Sequence, residues 1–455
     1  MGQISIIIIS HTEVINMRVL WLCNMVPSMI AEKMNKEATV KEGWVTGTLQ
    51  SILRDNHEAR KNGENCPIEL AIAYPVPDAK KEEHTEVSLY DYKIDCYSFY
   101  EDVRQPENYC TSMEPRFREI LEDYKPDIVH AFGTEYPHTL AMARVLKGTD
   151  KLIIGLQGII SKCGEEYTAD LPDEIVNGRT FRDIIRKDNI AQQQAKFLER
   201  GEFEKEAITL TKHVIGRTDF DRRTALELNP TVQYHYMGET MRDTFYSGTW
   251  DLSSCERHSL FVSQADYPLK GFHYLLEAMP EILEKYPDAR IKVAGADIVS
   301  IDSMKDRLKL PSYGKYLRAL MQTYGLHDKI DFLGKMNAEE MKLQFIRCHT
   351  FVCPSSLENS PNSVAEAMLL GVPVVAARVG GIPSILHEPE EGLLFEKGNS
   401  QGLAENILRI WDSDAVALEM SACEMQRARE NYDREGNYRM LLNIYKRVSS
   451  LVECQ

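Results

Sequence analysis

The chain has 455 residues, with 53 Lys and Arg against 69 Asp and Glu, a formal charge of -16. That balance argues against a nucleic-acid groove, which needs a concentrated positive field. At about 100 to 200 residues per domain the length points to two large domains. Ten Cys without a CxxC pair form neither a disulfide scaffold nor a zinc framework, so a reducing, cytoplasmic setting is expected. No apolar run is long enough to cross a bilayer. A local basic group, such as Arg182, Arg186 and Lys187, is still compatible with peripheral membrane contact, a solvated helix face being the plainer reading.

Residues 1–16 carry the apolar run Ile4–Ile9 and read either as an extension or as an added edge strand. RVLWLC (18–23) reads as the first strand of an α/β domain, and 44–59 as a helix. Buried-strand candidates follow at 68–73, 128–132, 152–156 and 213–216, with helices at 138–146 and 187–211 between them. Ser247, Gly248, Ser253 and Ser254 mark a connection, and the scheme then repeats. Strands are predicted near 258–263, 290–294, 330–333, 350–353 and 372–377, with a charged helical stretch over 418–446. Strands alternating with helices predict two mostly parallel, helix-covered sheets. The division predicted is 17–245, 246–425 and a terminal helical segment, 426–455.

The most informative stretch is FVCPSSLENSPNSVAEAMLLGVPVVAARVGG. Ser360 suits an N-cap and Pro361 the first helical position, with Gly371 ending the helix. Gly380 and Gly381 open a second strand-to-helix turn. Two such turns at one sheet edge offer backbone N–H groups to a phosphate, here from Ser360, Asn362 and Ser363. Glu358 and Glu366 frame the first turn, able to accept hydrogen bonds from sugar hydroxyls or to remain surface acids.

Lys270 follows the first strand of the second half, where its ammonium could meet a phosphate. Leu333 and Gly334 end another strand at the same edge, and Gly334 would admit a flat ligand group. In the first half, His130 lies within DIVHAF, where a buried packing role competes with a functional one. The loop GTEYPH brings Glu135 and His138 to the strand's carboxyl end. No GxGxxG, Walker, GxSxG or HExxH motif occurs, and no metal site is predicted.

With DFLGKMNAEEM, CPSSLENSPNSVAEAMLLGVPVVAARVGGIPSIL and EGLLF, the chain resembles the retaining, nucleotide-sugar-dependent glycosyltransferases of the GT-B fold known as glycosyl transferase group 1. DIVHAFGTEYPH and LIIGLQG resemble members that build bacterial surface polysaccharides. The resemblance implies two Rossmann-like domains facing across a cleft, with a final helix crossing back to the first. It implies a nucleoside diphosphate sugar donor and a saccharide or lipid-linked acceptor, with no further cofactor required. Glu358 would lie near the donor sugar, Glu366 at the ribose, Lys270 at the phosphates and Leu333–Gly334 at the base. Three departures stand out. Gln264 occupies the position of a common Arg, Ser360 and Pro361 replace Phe and Gly, and Phe132 replaces the second His of a His-x-His pair, whose role would be vacant or pass to Glu135 or His138. A nucleotide-sugar epimerase, or a binding subunit with a degraded donor site, are the rival readings.

Overall fold

The computed structural model describes residues 17–36, 43–90 and 92–453. The reading of residues 1–16 lies outside them. In the first half, strands β1 (Met17–Leu22), β2 (Ile68–Val76), β3 (His84–Leu89), β4 (Tyr92–Tyr100), β5 (Ile128–Phe132), β6 (Leu152–Gly155), β7 (His213–Gly216) and β8 (Gln233–Tyr236) make one sheet. Its order is β3-β4-β2-β1-β5-β6-β7-β8. Among the described strands of this sheet, only the β3–β4 pair is antiparallel. In the second half, β9 (Glu256–Val262), β10 (Arg290–Ala294), β11 (Ile330–Gly334), β12 (Cys348–Cys353), β13 (Val374–Ala377) and β14 (Leu393–Phe395) form a parallel sheet in the order β11-β10-β9-β12-β13-β14.

The central strands are mostly apolar because helices cover both faces. IVHAF of β5 and CHTFVC of β12 are buried at every residue. β3, β4, β8 and β14 were not among the predicted strands. β3 alternates exposed and buried residues at the sheet's edge, and β14 has three residues; neither presents the continuous run that marks a central strand.

The final crossing is made by two helices. Asp414–Asn431 runs unbroken past position 426 and packs on the second half. The chain crosses at Tyr432 and Asp433, and Arg434–Glu453 then lies on the first sheet. Tyr438, Leu441, Ile444, Tyr445 and Val448 of this crossing helix join the first core at helical spacing. Each contributes about 2 kcal/mol by burial. The core also departs from the chain order in the other direction. Tyr167, Leu171, Val176 and Ile190, from the first half, are buried in the second domain's cluster. Tyr274 Oη and His273 Nε2 reach the Ala169 carbonyl at 2.9 and 3.0 Å. A cut at 245 therefore separates the two sheets but not the two cores.

Candidate donor-binding and catalytic site

On the first domain, the turn after β5 is built around Glu135. Gly133 has φ of 91°, and a Cβ there would stand 1.8 Å from Glu135 Oε2, so glycine makes room for the carboxylate. Glu135 accepts from the backbone N–H of Gly158 at 3.2 Å and from Asn24 Nδ2 at 3.4 Å. Arg200, on the helix Ile190–Leu210, donates to the Glu135 carbonyl at 2.8 and 3.1 Å. The buried Glu204 carboxylate ties this turn to the next one. It accepts from Thr134 Oγ1 and Ser161 Oγ at 2.5 and 2.6 Å, and from the N–H groups of Ile160 and Ser161 at 2.9 Å. Burial pushes its carboxyl above the ordinary range despite those donors.

On the second domain, a short turn, Pro268–Lys270, leads into the helix Phe272–Lys285. The N–H of Ser356 donates to Leu269 O at 2.8 Å, stitching this turn to the loop after β12. Lys270 Nζ meets Glu358 Oε1 at 2.6 Å, and Ser355 Oγ donates to the same oxygen at 2.7 Å. The two side chains are 20% and 15% exposed. Burial alone would depress the Lys270 ammonium; Glu358 and Tyr267 outweigh it and hold the group charged, well above its ordinary value. Burial also pushes the nearby Cys163 thiol up to about 12, leaving it an inert neutral group.

The helix Asn362–Leu370 begins beside this pair. Pro361 occupies the cap position with no side-chain cap bond, so Ser360 does not cap the helix as the sequence predicts. Pro361 holds φ near -70° on its own, and the chain reaches helical geometry one residue later. Among the described residues, no acceptor meets the N–H groups of Asn362 and Ser363. Ser360, Asn362 and Ser363 are all half-buried. At the facing turn, Gly380 has φ of 50° and a Cβ there would stand 1.9 Å from the Glu358 carbonyl. Gly381 donates to that carbonyl at 3.0 Å. Both glycines thus serve the close approach of two loops.

These parts meet across the domain boundary. Glu135, Arg200 and Cys163 of the first half and Tyr267, Lys270, Glu358 and Asn359 of the second line one cavity of about 250 Å³. Asn359 closes its floor: its side chain donates to Gln157 O at 2.9 Å and Asp221 Oδ2 at 3.1 Å, and accepts from Thr218 Oγ1 at 2.6 Å.

The other predicted residues lie apart from this cavity. His130 is buried, with Nδ1 2.7 Å from Tyr445 Oη, which also accepts from Trp21 Nε1 at 3.1 Å. Burial holds its imidazole neutral, with a pKa near 3. Its Nε2 has no partner among the described residues and lines a narrow neighbouring pocket with Gln157, Arg217 and Glu239. His138 points away from the cleft, into the helix layer. Its Nδ1 lies 2.7 Å from Glu101 Oε2 and its ring packs against Phe99 at 5.4 Å. Gln264, Leu333 and Gly334 are half-buried at the ends of β9 and β11. A Cβ at Gly334 would meet open space, so this edge has room beside it.

Glu366 is buried one turn into its helix, where Arg242 of the interdomain connection clamps it at 2.5 and 3.0 Å. Burial raises its carboxyl to about 7, against the pull of Arg242. Arg200, Arg242 and Asn359 were not among the predicted site residues. Arg200 and Arg242 sit on segments whose sequence carries no motif, and Asn359, though inside LENSPNS, reaches its partners only through the tertiary fold. Among the described residues, no three His, Cys, Asp or Glu side chains stand together as a metal site.

Two facing Rossmann-like sheets with a helix crossing back are the GT-B architecture. Residues 252–431 match the family model described as glycosyl transferases group 1. An uncharacterized glycosyltransferase of Methanocaldococcus jannaschii is 28% identical over 194 residues, 42% of this chain and 45% of that protein. The chain spans less than half the length of the first curated relatives it matches. Among solved structures, sucrose-phosphate synthase from Thermosynechococcus elongatus shares the fold with a TM-score of 0.67 at 14% identity, covering 96% of this chain and 100% of that one. HepE of Anabaena, solved with UDP-glucose, aligns with a TM-score of 0.57 at 15% identity over 97% of this chain and 100% of its own.

Proposed function

We propose that this protein transfers a hexosyl group from a nucleoside diphosphate sugar to a hydroxyl of a saccharide or lipid-linked acceptor, with retention at the anomeric carbon. The observation that carries the reading is the shared cavity, where Lys270, Glu358 and Glu135 converge beside a helix start with open N–H groups. The second domain holds the donor and the first presents the acceptor. Lys270 has three N–H donors, of which Glu358 engages one; the others are available to the diphosphate. With the N–H groups of Asn362 and Ser363 they stabilise charge on the departing phosphate oxygen.

As the sugar–phosphate C–O bond breaks, the acceptor oxygen bonds to the same face of the anomeric carbon. The acceptor proton passes to the leaving phosphate oxygen, so no enzymic nucleophile is consumed. Glu135 and Glu358 accept hydrogen bonds from sugar hydroxyls. Arg200 supplies, from the opposite wall, the cation that Gln264 does not. The donor in the HepE structure, UDP-glucose, belongs to the donor class proposed.

The test is nucleoside diphosphate release from a panel of donors with and without added acceptor. Release that depends on acceptor supports transfer. Interconversion of the donor without acceptor would identify an epimerase instead, and failure to bind any donor would leave a binding subunit.

A further inference from the structure

Two short helices on one face of the molecule share a design that the cleft does not use. Phe181–Arg186 (FRDIIR) and Met304–Lys309 (MKDRLK) lie against each other. The first comes from the first half of the chain and the second from the second domain. Each opens with a capping box, Thr180 with Asp183 and Ser303 with Asp306. The acids are thereby turned back onto their own helix starts, and buried Asp183 also accepts from the N–H of Ser312 at 3.0 Å, at the start of the helix that follows Met304–Lys309.

The outward faces are apolar. Phe181, Ile184, Ile185, Met304 and Leu308 are 57%, 61%, 64%, 70% and 50% exposed. Twelve large apolar side chains are exposed among the described residues, and five of them are these. Single exposed apolar residues are ordinary, whereas a contiguous group marks an interaction surface.

A cation follows four of the five directly: Arg182, Arg186, Lys305 and Lys309. One residue advances about 100° around a helix, so each cation flanks the apolar side chain before it. Arg182 is paired with Asp183 and Asp188. Arg186, Lys187, Lys305 and Lys309 are exposed and form no ion pair among the described residues. In a chain of net charge -16, this local excess does not follow from composition.

We infer that this two-helix face docks on an anionic lipid bilayer. The five apolar side chains enter the headgroup region, and Arg186, Lys187, Lys305 and Lys309 meet acidic headgroups. The interleaving of apolar and cationic side chains on two highly exposed short helices suits a fluid, negatively charged interface, which needs no complementary pocket. Because the helices come from different halves of the chain, the bilayer contacts both halves at once. The inference does not depend on the transfer reaction.

Vesicle flotation tests it, using phosphatidylcholine vesicles with and without about one third phosphatidylglycerol. The wild-type protein is expected to float with the anionic vesicles and to be released by salt. I185S/L308S, one exposed position per helix, is expected to lower partitioning at least about tenfold. R186E/K187E is expected to abolish the preference for anionic over neutral vesicles. Unchanged circular dichroism of both variants shows that the fold is kept. The inference is overturned if wild-type protein ignores anionic vesicles or if I185S/L308S floats as well as wild type. It is equally overturned if the wild type forms a dimer that I185S/L308S dissolves while vesicle binding is absent.

Discussion

Lys270 and Glu358 form a nearly buried pair, 2.6 Å apart, at the wall of the cavity. Two roles for Lys270 make different predictions: a counter-ion that only steadies Glu358, or a cation that also holds diphosphate. K270A alone cannot separate them, because it leaves the Glu358 carboxylate unpaired in a site meant for an anion. Losing one member of a buried pair costs about 3 kcal/mol of stability, a drop of roughly 10 °C in Tm for domains of this size. E358Q removes the acid's charge and leaves the lysine in place. In the E358Q background, therefore, K270A removes only what the lysine does for ligand. A contact to a charged partner is worth about 1.5–3 kcal/mol, so affinity should fall about 10- to 100-fold. The assay is calorimetric titration of all four members of the cycle with UDP, GDP and ADP as probes. If K270A proves neutral once Glu358 is Gln, the lysine serves only its neighbour and the phosphate role is wrong.

Other consequences concern the walls and floor of the cleft. Glu366 is held near pKa 7, so it loses its charge as pH falls through that value. If the charged form receives the ribose, affinity for nucleoside diphosphate should weaken about fivefold between pH 7 and 6. E366Q should lack this step once the ligand's own titration is subtracted; the same step in E366Q would place it elsewhere. R200A should reduce turnover about 10²-fold with little change in Tm, whereas R200K should recover part of it; normal turnover in R200A would exclude it from the phosphate clamp. G381A puts a Cβ 2.1 Å from Asn359 O and 2.6 Å from Thr218 Cγ2, and should weaken donor binding by displacing the cleft floor. Unaltered binding in G381A would show that this floor is not part of the donor site.

The sequence made much of this legible, and unevenly so. Central strands such as β5 and β7 announce themselves as short, mostly apolar runs, because burial on both faces favours apolar residues. The helix after LENSPNS was legible from Pro361 and Gly371, though its first residue was not, since proline itself takes the cap position. Lys270 and Glu358 were each placed at the same sheet edge, yet nothing in a separation of 88 residues says that they touch. His138 looked like a cleft residue from its loop. Its partner, Glu101, ends the neighbouring β4 region, which the strand reading passed over. Arg200 and Arg242 stayed hidden for a similar reason: their meaning comes from the opposite domain and the connection, where local pattern carries no information. The burial of Tyr167, Leu171, Val176 and Ile190 in the second core likewise depends on contacts made across the domain boundary.

The central claim is that a nucleoside diphosphate is held at the start of the helix Asn362–Leu370, with its phosphates beside Lys270. A crystal structure with the tightest-binding member of the UDP, GDP and ADP panel tests it most directly. The expected result is a diphosphate oxygen within hydrogen-bond reach of Lys270 Nζ and of the Asn362 or Ser363 N–H, with Glu366 released from Arg242 to the ribose. A diphosphate bound elsewhere, with the Lys270–Glu358 and Arg242–Glu366 pairs intact, would contradict it.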